Sequence, residues 1–306
     1  MTRANNDPVY DPAAFLIAAD PAGQSDVRLE HICDLSDADY QRYRDAERML
    51  HGIVVANVFT YVQGSLKVFE TVWKGANAAL SSIEIRPNTD PRGATLWNSQ
   101  LRAAALSLCI SLVYHQEQTY QDLSDRHGTN SEAHDKARAV FNKLYDDCRG
   151  YRYLYRLRNV MVHDNMDAIA LNAVITRDNN GQTVAAYDLL IDKSVMADSP
   201  KLSRRLRDEF ASLAEKPSLF GLLGEVAQPL VDANQQLREI VYPDLTQACE
   251  AVVDFDDLFE EQPGTRALVH KQSPEVKAGF RISYTGFPPE VIHFARAYKS
   301  SGAGSA

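Results

Sequence analysis

The 306 residues suffice for one large or two modest domains, with an ordinary globular composition of 45% apolar and 24% charged residues. A net charge of −9 argues against a protein that coats nucleic acid through charge alone, because neutralising phosphates needs clustered cations. No apolar run reaches the roughly 18–20 residues of a membrane span, Met1–Asp7 has no hydrophobic stretch behind its basic residue, and Cys33, Cys109, Cys148 and Cys249 show no paired spacing, so a reducing cytoplasm is the expected setting.

In chain order, residues 1–35 hold Pro8, Pro12, Pro21 and Gly23 without a sustained period and read as an arm over the main body. Ser36, with Asp37 and Asp39 behind it, is a helix start. Tyr43, Leu50, Val54, Val58, Val62, Leu66, Phe69 and Trp73 continue at helical spacing, with Gly52 or Gly64 as points of bending. Residues 88–93 (NTDPRG) break the pattern. A second helix is expected from about Thr95 to Asp125, apolar on nearly all sides between Leu101 and Val113 and therefore central in a bundle.

Ser131 caps a third helix through Cys148, which either continues to His163 or splits at Gly150. The period then changes to two. Ile169–Ile175 and Tyr187–Ile191 predict a β-hairpin around Asn180-Gly181, too short to be a domain of its own. Helices are expected from Ser199 to about Ala214, and from Ser218 to about Tyr242 with a bend at Pro229. Beyond Pro243 helix resumes towards Phe259. A strand at Phe280–Tyr284, a helix from Pro288 to Tyr298 and a disordered tail over 300–306 close the chain.

Cations are unevenly spread. Arg149–Arg158 contains Arg149, Arg152, Arg156 and Arg158 with no acid, and Lys201–Arg207 is a second basic cluster. On a helix ending near His163, Arg152, Arg156, Asn159 and His163 are spaced by four, three and four residues and share one face, with Arg158 beside them. Two arginines, an amide and an imidazole are costly to bury, so the face meets water or an anion. The residue types suit RNA cleavage: imidazole moves the 2′-OH proton near neutral pH, and guanidinium forks onto non-bridging phosphate oxygens, with no metal or cofactor required.

The stretch Arg158-Asn159-Val160-Met161-Val162-His163 resembles the signature of HEPN-domain proteins, an Arg followed after four to six residues by His, commonly with a polar residue directly after the Arg. The resemblance implies an all-helical bundle over about residues 36–166 that dimerises so that two motif copies form one cleft. It further implies a metal-independent ribonuclease of toxin–antitoxin, CRISPR-associated or abortive-infection type, acting on cellular RNA of the tRNA class among others, with an antitoxin or regulatory protein as partner. His163 would then be the acid/base, Arg158 the phosphate or transition-state ligand and Asn159 the positioning residue, with Arg149, Arg152 and Arg156 as RNA-binding residues. Asn165 stands where some members carry a tyrosine two residues after the His, so regulation through that tyrosine is not implied.

The looser pattern also fits Arg44–His51, a secondary candidate weakened by Asp45 and Glu47 within it. Three other signals compete with ordinary explanations. His115, Glu117, His127, His134-Asp135 and His163-Asp164 could hold a divalent metal, as in HD-type phosphohydrolases, or be surface residues near helix ends. Tyr151, Tyr153 and Tyr155 could stack bases, although alternate helical positions point different ways. Asp254–Glu261 could bind a basic partner or be a solvated helix end. The expectation is a mainly α fold: an arm over 1–35, a HEPN-like bundle over 36–166, a β-hairpin over 167–195, a helical C-terminal extension over 196–299 and a tail over 300–306. A homodimer that cleaves RNA is the leading reading. A non-catalytic helical scaffold of the same fold, or a metal-dependent phosphohydrolase, is the alternative.

Overall fold

The computed structural model describes residues 10–18, 28–55, 57–81, 91–177, 183–272 and 284–301. The N-terminal elements are β1 (Tyr10–Ala18), β2 (Arg28–Asp34), α1 (Asp37–Val54), α2 (Val58–Ser81) and α3 (Pro91–His127). Next come α4 (Glu132–Asp147), α5 (Arg149–His163), β3 (Ile169–Arg177), β4 (Thr183–Ile191), α6 (Lys193–Asp198) and α7 (Arg204–Ser212). The last are α8 (Leu219–Val241), α9 (Leu245–Asp257), β5 (Thr265–Gln272), β6 (Tyr284–Phe287) and α10 (Pro289–Ser300). The fold is mainly helical, and it divides into two compact units, residues 58–241 and residues 1–57 with 242–306.

In the unit formed by the chain ends, a four-stranded antiparallel sheet has the order β2-β1-β5-β6. Ser36 Oγ accepts the Asp39 N–H, which together with Asp37 and Asp39 in the first turn sets the start of α1. Tyr40, Tyr43, Leu50 and Ile53 of α1 pack with Val252 and Phe255 of α9, Val291 of α10, and Leu16, Leu268 and Phe287 of the sheet. The expected arm is thus corrected to two sheet strands: Ala13, Ala14 and Leu16 are buried, and short apolar segments between prolines do not show a clear period of two. Strand β5 was not expected at all. Of the strand expected at Phe280–Tyr284, only Tyr284 is among the described residues, and it begins β6.

Residues 58–241 form the other unit. Phe69 of α2, Leu101, Leu108 and Leu112 of α3, Leu144 of α4, Leu154 and Leu157 of α5, Phe210 of α7 and Leu222 and Val226 of α8 share one core. The hairpin pairs Ile169 with Ile191 and lies on α2: Trp73 Nε1 donates to the Tyr187 carbonyl at 3.1 Å, and Tyr187 N–H donates to Asn77 Oδ1 at 2.8 Å. Its Asn180-Gly181 turn lies outside the described residues, as do residues 302–306 of the expected tail.

Several boundaries differ from expectation. The helix begun at Ser36 is two helices separated between Val54 and Val58, while Gly52 and Gly64 lie inside them. The expected bundle over 36–166 is divided, with α1 in the chain-end unit, and the expected C-terminal extension changes unit at Tyr242. Instead of one helix from Ser199 there are α6 and α7, with the buried Ser199 between them. Pro229 lies inside an otherwise continuous α8. One 18-residue window within Asp37–Ser81 reaches a mean hydropathy of 1.2, contrary to the expectation that no segment passes for a membrane span. Only 24% of that window is buried, although α2 does carry core residues in Phe59, Val62, Phe69 and Ala76.

Candidate active site

Helix α5 is set by its ends and by one buried stripe. Cys148 has an extended backbone (φ −103°, ψ 105°) and separates α4 from α5, and its Sγ accepts the Tyr151 N–H at 3.5 Å. The helices therefore break at Cys148, two residues before Gly150. Glycine is required at 150 for another reason: a Cβ there would lie 2.5 Å from the Leu222 carbonyl oxygen, so α5 and α8 touch backbone to backbone. Tyr151, Leu154, Leu157, Val160 and Met161 are buried, which turns Arg152, Arg156, Asn159 and His163 away from the core.

The arginines have different fates. Arg149 forms an ion pair with Glu225 of α8. Arg152 donates to the main-chain carbonyls of Tyr145 and Asp146 at 3.2 and 3.0 Å and to Glu209 Oε1 at 3.2 Å. Glu209 also accepts the Tyr153 hydroxyl at 2.8 Å, and burial, reinforced by this carboxylate, pushes the Tyr153 phenol up to about 12. Arg149 and Arg152, expected as RNA ligands, are thus engaged in tying α5 to α8 and α7. Their carboxylate partners come from distant helices, not from the neighbouring Asp146, Asp147 or Asp164.

Arg156 and Arg158 have no carboxylate partner among the described residues. Arg156 Nε donates to the Tyr145 hydroxyl at 2.7 Å, and its guanidinium lies 5.2 Å from the Tyr145 ring centroid and 5.6 Å from that of Tyr155. Arg158 Nη1 donates to Asn159 Oδ1 at 3.1 Å, while its Nε is buried without a hydrogen-bond partner. His163, the last residue of α5, is exposed and makes no hydrogen bond or ion pair among the described residues. Arg158 and Asn159 are therefore in contact, but His163 stands apart. Five helical residues separate it from Arg158 by about 140° of rotation and about 7.5 Å of rise, so a single chain does not close the three groups around one atom.

Arg205, from the second basic cluster, joins Arg152 and Arg156 around a polar cavity of about 580 Å³ lined also by Tyr145, Asp146, Ser203, Leu206 and Glu209. Sequence patterning flagged both basic segments but gave no sign that they meet, nor that Tyr145 and Glu209 organise the arginines.

The secondary candidates Arg44 and His51 line a 240 Å³ cavity with Glu47, Arg48 and Thr285. Glu47 is buried there, and burial raises its pKa, opposed by His51 and Arg48.

The metal alternative finds its residues dispersed. His115 is buried 3.3 Å from Asn234 Oδ1, with burial lowering its pKa to about 4, and His134 stacks on Tyr120 beside Arg138. Among the described residues, no three His, Cys, Asp or Glu side chains are grouped to hold a metal. Tyr151 and Tyr153 are core residues, which leaves Tyr155 alone of the three half-exposed. The acidic stretch is an ion-paired helix end, with Asp254 on Arg42 and the buried Asp256 on Arg266 and Arg296. Comparison with known proteins adds no relative: no family model matches the chain, and neither does any curated protein or solved structure.

Proposed function

We propose that the protein is a metal-independent endoribonuclease of HEPN type, acting as a homodimer whose cleft is formed by two copies of the Arg158–His163 segment. The observation that carries this reading is the imidazole of His163, exposed at the end of α5 and without a hydrogen bond or ion pair among the described residues, on the helix that also carries Arg156 and Arg158, neither of which has a carboxylate partner among those residues. A buried or ion-paired histidine would have favoured an ordinary structural role. The separation of His163 from Arg158 along one helix is consistent with a site completed by a second subunit.

The chemistry follows from the groups present. His163 takes the proton of a 2′-OH, whose oxygen attacks the adjacent phosphorus. Arg158, held by Asn159, forks onto the non-bridging oxygens as negative charge builds up on the phosphorane. The 5′-oxygen leaves with a proton from the partner imidazole, giving a 2′,3′-cyclic phosphate and a 5′-hydroxyl. A toxin or antiphage role rests on the resemblance of the motif.

Purified protein incubated with total RNA in excess chelator is expected to cleave it, and His163→Ala to abolish cleavage while the circular dichroism spectrum is unchanged. Cleavage only after divalent metal is added would favour the phosphohydrolase. An inert protein would leave the helical scaffold as the better account.

A further inference from the structure

A second cavity adjoins the arginine-lined one. Its volume is about 270 Å³, and it is lined by Gln116 of α3, Phe141, Asn142 and Tyr145 of α4, and Tyr155 and Arg156 of α5. Tyr145 and Arg156 belong to both cavities, so the Arg156–Tyr145 hydrogen bond is their common wall. The two sides differ in chemistry. One has three aromatic rings and two carboxamides, with no acid among its lining residues. The other is lined by Arg152, Arg156 and Arg205 with two carboxylates, Asp146 and Glu209, and Glu209 is already taken by Arg152 and Tyr153, so the arginines outnumber the acids by one.

We propose that these adjoining cavities are a nucleotide subsite, with a base in the aromatic cavity and its phosphate in the arginine-lined one. The proposal rests on the reading that RNA is the substrate, and adds where the strand is held and how its sequence is read. The smaller cavity falls just below the roughly 300 Å³ at which drug-sized ligands begin to be enclosed, which suits one planar ring system. Aromatic walls accept the face of any base. Discrimination comes from the amides: Gln116 Nε2 donates to the Tyr120 hydroxyl at 3.1 Å and leaves Oε1 as an acceptor, while the Asn142 side chain makes no hydrogen bond among the described residues. A carboxamide pair offers donors and acceptors together, the pattern a base edge requires. The Arg156 Nε is spent on Tyr145, so its terminal nitrogens remain for phosphate. Arg156 precedes His163 by seven residues on the same face, about 10.5 Å along the helix. The bound nucleotide therefore flanks the scissile one.

The test uses wild-type protein and four uncleavable 2′-O-methyl tetranucleotides, one for each base, with affinity read by fluorescence anisotropy. One base is expected to bind about tenfold more tightly than the weakest. The double variant Gln116→Ala/Asn142→Ala should lose that preference and keep the affinity of the weakest oligonucleotide. Arg156→Ala should weaken all four and reduce the salt dependence by about one charge. Equal affinity for the four bases, a preference that survives the double variant, or no oligonucleotide binding would each overturn the subsite. Cleavage without base preference would reject the subsite and leave the nuclease standing. Base preference in a protein that cleaves no RNA would do the reverse.

Discussion

The backbone contact that orients the arginine-bearing helix predicts opposite signs for two Gly→Ala substitutions. At Gly64 of α2 nothing lies within 4 Å of an added Cβ, so alanine brings only its helix preference, stabilising by about 0.5–1 kcal/mol. At Gly150 the same preference is opposed by a Cβ 2.5 Å from the Leu222 carbonyl oxygen and 3.1 Å from Glu225 Cβ. The first neighbour is backbone and cannot rotate away. Overpacking of this kind costs about 1–3 kcal/mol, and a main-chain obstacle belongs in the upper half of that range. The net effect of Gly150→Ala is therefore a loss of about 1–2 kcal/mol. Thermal unfolding followed by far-ultraviolet circular dichroism should show a fall of roughly 2–8 °C for Gly150→Ala, at about 2–4 °C per kcal/mol, and a small rise for Gly64→Ala. A Gly150→Ala protein as stable as the wild type would refute the close approach of α5 to α8.

Other consequences concern buried polar groups. His115 is held neutral by burial, its pKa lowered from 6.5 to about 4; the unfolded chain takes up that proton first, so stability present above pH 6.5 is lost on acidification towards 4, by roughly 3 kcal/mol at most. Urea unfolding between pH 7 and 4 should show this loss, and His115→Gln should flatten it; an equal slope in the variant would assign the pH dependence elsewhere. Glu209→Gln removes the charge that reinforces burial at Tyr153, so the alkaline absorbance titration of that phenol, identified by comparison with Tyr153→Phe, should move down from about 12 but stay above the ordinary value. An unmoved titration would contradict the Glu209–Tyr153 contact. Asp256→Asn should destabilise the chain-end unit by about 3 kcal/mol, the lower end for a broken buried pair because Arg296 is half exposed. A chemical denaturation midpoint close to the wild type would show that Arg266 finds another partner.

Much of the helical content was legible because amphipathic period and caps coincide. Ser36 and Ser131 cap the helices expected of them, and the period-two segments at Ile169 and Tyr187 do pair. What could not be read was long-range. Strands β1 and β5 join residues some 250 positions apart, and neither segment alternates clearly enough to declare a buried face. The break at Cys148 lacks the usual residue signal, since the glycine two residues on, Gly150, serves helix contact. At the candidate site, the shared face of Arg152, Arg156, Asn159 and His163 followed from spacing alone. Which arginines are consumed did not, because Glu209 and Glu225 reach them from helices that follow the motif by more than forty residues.

The proposed reaction is cleavage by the substrate's own 2′-hydroxyl, driven by His163 without metal. Its most direct test is the chemistry of the fragment ends produced in chelator from an oligoribonucleotide, alongside a copy bearing one 2′-deoxy sugar at the mapped cut. Expected are 2′,3′-cyclic phosphate and 5′-hydroxyl ends from the first and an intact bond at the deoxy position in the second. Fragments carrying 5′-phosphate, or cutting that persists at the deoxy position, would contradict it.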